Sequence, residues 1–281
     1  MPDPSTLPPP STPGTNAAPP TVALATPTLT PEPLTALVNG EAITLAAYQK
    51  EVERCRAAHS DAVDCPAVVL QSLVEQKVVE QAATAAGVNV PAEDVEAAWT
   101  QIIADLGGTE AYTAWLAANF YTEDGFREAL RRDLLRARIG EQAVAQIGDA
   151  AEQVHALQLL VDDEATAQDL LSQIKGGADF APLAVQYSLD LSSRAAGGDL
   201  GWFPRGLLTM PEVEQAAFAL QPGEISDVIH SALGYHLVKV IERDPVHPLS
   251  PSAEQALRAR AYQAWLEGLL AAANVETYIT P

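Results

Sequence analysis

Apolar positions recur along the chain in two rhythms, helical first and alternating later. Leu45, Tyr48, Val52 and Cys55 fall three or four residues apart, which predicts an amphipathic helix over about 45–58. Before it, 36–44 reads as a short strand, an Asn39-Gly40 turn and a Thr44 N-cap. A second helix is predicted from about Pro66 to Gly87, with Val69, Leu70, Leu73, Val74, Val78 and Val79 as its apolar residues and Gly87 as its stop. A third starts at Pro91 and stops at Gly107-Gly108, and a fourth runs from about Thr109 to Asn119. A fifth starts at Thr122 and carries Phe126, Leu130, Leu134, Leu135 and Ile139 at helical spacing. Residues 35–150 are therefore expected to be a mainly helical domain.

The rhythm changes near Gly148. Residues 154–161 are apolar and alternating, as in a strand. A helix is expected over about 163–175, a short helix over 180–187, a strand over 200–203 and a helix from Pro211 to about Leu220. Two more strands are expected at 225–229 and 235–241. Adjacent strands among helices make this an α+β region over 152–245. Pro245, Pro248 and Pro251 read as a second linker. A final helix, about 252–272, places Leu257, Ala261, Trp265, Leu266 and Leu269 on one face, and 275–279 is strand-like. A lone amphipathic helix needs a partner surface. Residues 246–281 are thus expected to pack back on the N-terminal domain.

Composition narrows the function. The chain has 281 residues and a net charge of −21, with 37 acidic and 16 basic side chains. Nucleic-acid binding needs clustered Lys and Arg, so it is not expected. Docking on an anionic membrane surface is excluded for the same reason. The acidic excess is spread over both folded regions. It suits the solubility of a protein that handles sticky clients. Of the 21 prolines, 11 fall in residues 1–34, which hold two charged residues, Asp3 and Glu32. That stretch reads as a disordered Pro/Thr-rich linker. It is expected to be a tether to an anchor upstream of this chain. Cys55 and Cys65 form no Cys-x-x-Cys motif. A disulfide clipping a helix–helix connection and two buried thiols both fit their spacing.

No phosphate loop, nucleophile elbow or metal-spaced His/Cys cluster is present, so neither cofactor nor metal is expected. His230 and His236 are candidates to converge across a hairpin. The informative residues are Tyr187-Ser188-Leu189-Asp190 and Gly197-Gly198-Asp199-Leu200-Gly201-Trp202-Phe203. Phe218-Ala219-Leu220, Pro222-Gly223-Glu224-Ile225-Ser226 and Gly234-Tyr235-His236-Leu237-Val238 follow. In this order and spacing they resemble the parvulin family of peptidyl-prolyl cis/trans isomerases over about 152–245. The Val38-Asn39-Gly40-Glu41 start, the helical region and the trailing helix resemble exported chaperone-foldases of the PrsA and SurA kind.

The resemblance implies a four-stranded antiparallel sheet wrapped by helices, with a mainly helical SurA-like domain beside it. It implies isomerisation of X-Pro bonds in unfolded or nascent exported polypeptides, outside the cytoplasm. By position it carries a polar site onto Asp190, His236 and Ser231, and a proline pocket onto Leu200, Met210, Val213 and Phe218. One departure stands out. Gln158 occupies the first-strand position that is usually histidine. His155 lies an odd number of residues away and faces the other side of a strand. A glutamine amide can bridge two polar groups, so Gln158 is expected to hold His236. The same departure favours a second reading, a weak or inactive parvulin-fold holdase. Asp162-Asp163-Glu164 stands where phosphoserine-directed relatives carry basic residues, which argues against phosphate recognition.

Overall fold

A computed structural model describes residues 32–59 and 63–279; the linker expected over 1–34 falls almost wholly outside them. The chain opens on a hairpin, β1 (Leu34–Val38) and β2 (Glu41–Thr44). Asn39 and Gly40 both take positive φ, 53° and 84°, as a two-residue hairpin turn requires. Thr44 then caps α1 (Leu45–Ala58) by accepting the N–H of Ala47. Asp64 caps α2 (Cys65–Ala85), followed by α3 (Ala92–Asp105), α4 (Thr109–Ala118) and α5 (Glu123–Ala143). The Cys55 and Cys65 sulfurs are bonded to each other, clipping the end of α1 to the start of α2.

The second region is a sheet in the order β4-β3-β6-β5, all antiparallel: β3 (Ala150–Val161), β4 (Asp199–Pro204), β5 (Ile229–Ser231) and β6 (Gly234–Pro248). Between them lie α6 (Glu164–Lys175), α7 (Phe180–Tyr187) and α8 (Pro211–Ala219). Leu159, Val161 and Leu237 pack under α6 and α7 through Leu170, Leu171, Phe180 and Ala184. The opposite face packs Val154, Ala156, Val238 and Val240 against Val213, Ala217 and Phe218 of α8.

Two strand expectations are corrected. Residues 225–229 are not a strand. The N–H of Ser226 donates to Val238 O, and its hydroxyl accepts the N–H of Val238, so a side chain completes the pairing. The strand lies at 229–231 instead. Residues 245–248, read as linker, belong to β6 and pair with the start of β3 (Ala150↔Pro248, Ala151↔His247). The pairing shifts register between Ala151 and Gln153, so Pro245 falls in a bulge where no ladder N–H is needed. Gln153 Nε2 donates to both His247 O and Pro248 O at 3.0 Å, and Trp202 stacks on His247 at 4.1 Å between centroids. The two regions are thus joined by a paired ribbon.

Helix α9 (Pro251–Ala272) returns to the helical region. Its buried Leu266, with Tyr262 and Trp265, completes a core of Ala36, Val38, Ile43, Val78, Val79, Leu135 and Ile139. The strand β7 (Val275–Thr277) then pairs with β1. Asn39 and Asn274 exchange two hydrogen bonds of 2.8 Å that lock this edge. No helix among the described residues is long and apolar enough to cross a membrane.

Candidate active site

The C-terminal half of β3 runs past the end of its pairing with β4. There the loop 188–198 covers its open edge. Ser188 Oγ accepts the N–H of Leu160, Leu189 N–H donates to Leu160 O, and Gln158 N–H donates to Gly198 O at 2.7 Å. Gly198 has φ +87°, and a β-carbon there would lie 2.2 Å from Gln158 O. Only glycine permits so close a backbone approach. The loop thereby carries Asp190 onto the face that also bears Gln158 and His236.

Gln158 Nε2 donates to Asp190 Oδ2 at 3.1 Å. Ser192 donates its N–H (3.0 Å) and its hydroxyl (2.6 Å) to Oδ1, and the Ser193 hydroxyl donates to Oδ2 at 2.5 Å. Burial pushes the Asp190 carboxyl up, but these hydrogen bonds outweigh it and hold the group below the usual aspartate value. The carboxylate is therefore ionised at neutral pH.

His236 is fully buried on β6. Its Nε2 lies 2.7 Å from the Ser231 hydroxyl, which also accepts the N–H of Leu233 at 3.0 Å. Burial pushes the His236 pKa down, more than the negative charges of Glu212 and Asp190 push it up. The imidazole is neutral. The expected Gln158–His236 contact is absent: the Gln158 amide is spent on Asp190. Gln158 Oε1 and His236 Nδ1 are both buried without a hydrogen-bond partner. Unpaired buried polar atoms cost about 1–3 kcal/mol each, and native folds keep few of them.

The apolar residues divide by exposure. Leu200 and Met210 are half-buried at the surface of the α8 cluster, whereas Val213 (0% exposed) and Phe218 (4%) form its floor. Leu208 packs beside Leu200 and Met210 and belongs with them. His230 and His236 do not converge. Ile229 pairs with His236, so His230 points to the other face, where its ring meets Tyr235 at 5.0 Å. His155 likewise leaves the site and contacts Asp199 at 2.8 Å. Asp163, from the acidic triplet after β3, caps α6 by accepting the N–H of Thr166. No metal-holding cluster of His, Cys, Asp or Glu occurs among the described residues.

Sequence reasoning missed Ser192, Ser193, Glu212 and Leu208. The two serines were accessible: hydroxyls two and three residues after an aspartate form the turn in which the carboxylate accepts local donors. Glu212 and Leu208 enter through the tertiary fold.

A four-stranded antiparallel sheet in the order β4-β3-β6-β5, with helices packed on both faces, is the architecture of a parvulin-type rotamase domain. Accordingly, residues 160–242 match the PPIC-type PPIase domain family and residues 27–140 match the SurA-like N-terminal domain. The foldase protein PrsA of Caldanaerobacter subterraneus is 33% identical over 233 residues, covering 73% of this chain and 72% of that protein. PrsA of Halalkalibacterium halodurans is 30% identical, covering 74% and 68% respectively. The chaperone SurA of Nitrosospira multiformis is 41% identical over 142 residues, covering 44% of this chain and 32% of its own. The fold superposes on the crystal structure of the peptidylprolyl isomerase PrsA from Bacillus cereus with a TM-score of 0.52 at 21% identity, covering 85% of this chain and 91% of that one. The chain belongs to the PrsA foldase family and carries a PPIC-type peptidyl-prolyl isomerase domain.

Proposed function

We propose that this chain isomerises X-Pro bonds in unfolded or newly exported polypeptides outside the cytoplasm, and that its helical region holds those clients as a chaperone. The observation that carries the catalytic reading is Asp190, kept ionised by Ser192, Ser193 and Gln158 on the sheet face against which Leu200, Leu208 and Met210 also pack. The Cys55–Cys65 bond supports an oxidising compartment.

The chemistry requires no covalent step. An amide resists rotation by about 18–20 kcal/mol because resonance places negative charge on oxygen and double-bond character on C–N. Twisting removes both. A site accelerates the exchange by favouring the twisted form over either planar one. Leu200, Leu208 and Met210 grip the proline ring and hold the X-Pro bond in the site. The Asp190 carboxylate opposes negative charge on the carbonyl oxygen, and so raises the planar form relative to the twisted one. The neutral His236, anchored by Ser231, shapes the wall opposite without adding a cation that would cancel that field.

A second reading, favoured by Gln158, is a holdase with little catalysis. A prolyl tetrapeptide assay and a client-aggregation assay on the same preparation separate them. Turnover selects the isomerase. Suppressed aggregation without turnover selects the holdase, and Gln158→His restoring turnover would then place the loss at that residue.

A further inference from the structure

The segment 205–209 joins β4 to α8 and brings Leu208 and then Met210 to the proline pocket. It has no strand partner. Instead the carboxylate of Glu214, one turn into α8, accepts three backbone N–H groups: Gly206 at 2.8 Å, Leu207 at 3.1 Å and Leu208 at 3.2 Å. Gly206 takes φ +86°, which turns its carbonyl toward α9. There the Arg260 guanidinium donates to Gly206 O, and the Leu257 side chain comes within 3.8 Å of where a β-carbon would stand on Gly206. The residue at 206 is thus held by its N–H from the isomerase region and by its C=O from α9. That helix is otherwise committed, through Tyr262, Trp265 and Leu266, to the core of the helical region. Among the described residues no carboxylate pairs with Arg260, and its guanidinium is satisfied by the Gly206 carbonyl.

We propose that Glu214 and Arg260 are positioning residues for the prolyl substrate: the helical region, through Arg260, sets the loop that shapes one wall of the isomerase pocket. Neither residue touches the rotating X-Pro bond, and both act through Leu208 and Met210. The consequence is on substrate grip and not on the twisting step, so KM and kcat separate. This rests on the isomerase reading above, and the test keeps the two apart.

The chain contains two methionines, Met1 and Met210, so methyl-13C-methionine labelling of the full chain gives a native probe at the pocket. Arg260→Ala removes an exposed, charge-assisted bond and is expected to raise KM for a prolyl tetrapeptide about threefold, with kcat unchanged, and to shift the Met210 methyl resonance. Arg260→Lys keeps a cationic donor and restores part of both. Glu214→Gln, which turns one of the two accepting oxygens into an NH2 donor and so leaves part of the three N–H groups without an acceptor, is expected to raise KM about tenfold. Gln263→Ala, exposed on the same helix, leaves both readouts as in the wild type. Should Glu214→Gln fail to fold, Arg260→Ala decides alone. A wild type without turnover would sink the isomerase reading, and the Met210 resonance would still decide the coupling. An unmoved Met210 methyl with unchanged KM in Arg260→Ala overturns the proposal, as does a fall in kcat at constant KM.

Discussion

Gly198 is where backbone geometry and the site meet, and replacing it with alanine has a calculable cost. At φ +87° an L-residue pays about 1–2 kcal/mol for left-handed backbone. The new β-carbon would also stand 2.2 Å from Gln158 O and 3.1 Å from the Ala184 methyl. The first contact is with backbone, so the loop must lift away from β3. Lifting breaks the 2.7 Å bond from Gln158 N–H to Gly198 O in a buried setting, which adds about 1–3 kcal/mol. Gly198→Ala is therefore expected to destabilise the isomerase region by about 2–5 kcal/mol. It should also lower kcat/KM, because the same loop carries Asp190. Gly223→Ala is the control: its φ is +91°, but nothing lies within 4 Å of the added carbon, so it pays the backbone term alone. Of the four tryptophans, Trp202 lies in the isomerase region. Fluorine-labelled tryptophan therefore lets urea unfolding of that region be followed by one resonance. A loss for Gly198→Ala no larger than that for Gly223→Ala would refute the close-approach argument.

Other expectations follow from the same contacts. His236 has a depressed pKa when folded, so the unfolded chain binds more protons at and below the ordinary histidine value of about 6.5. Stability should therefore fall as pH is lowered through that value, and His236→Gln should flatten the dependence in denaturation curves taken from pH 7.5 to 5.5. Reducing Cys55–Cys65, which closes a loop with a sequence separation of 10, should cost about 2–3 kcal/mol, read as a lower melting temperature of the helical region. Leu266→Ala, in α9 and 4% exposed, should cost that region about 2–4 kcal/mol, which would show that the trailing helix belongs to its core; a change under about 0.5 kcal/mol would contradict this.

Much of the fold was legible because its signals are local. Thr44, Thr122 and Asp163 marked helix starts, and each accepts the expected backbone N–H. The Asn39-Gly40 turn and the helix over 180–187 were read in the same way. What failed depended on partners. The prolines at 245 and 248 read as linker because the bulge that takes Pro245 and the pairing of Pro248 with Ala150 are visible only once β3 is placed opposite. Residues 225–229 looked like a strand because the Ser226 hydroxyl replaces a ladder carbonyl there. At the site, Gln158 bonds Asp190 and Ser231 bonds His236, which gives two separate polar pairs. Gln158 turned toward Asp190 and not His236, a choice set by the loop that Gly197 and Gly198 allow. Glu212 reaches His236, and Arg260 reaches the loop at Gly206, through helix packing that no local pattern encodes.

Prolyl isomerisation driven by an ionised Asp190 is the proposal on which the functional reading stands. The direct measurement is kcat/KM on a prolyl tetrapeptide for the wild type and Asp190→Ala, with folding of both checked by their melting. Measurable wild-type turnover is expected, with a loss of about 10-fold or more in a folded Asp190→Ala, the scale of one removed electrostatic contact. An active wild type with an unchanged Asp190→Ala would contradict it.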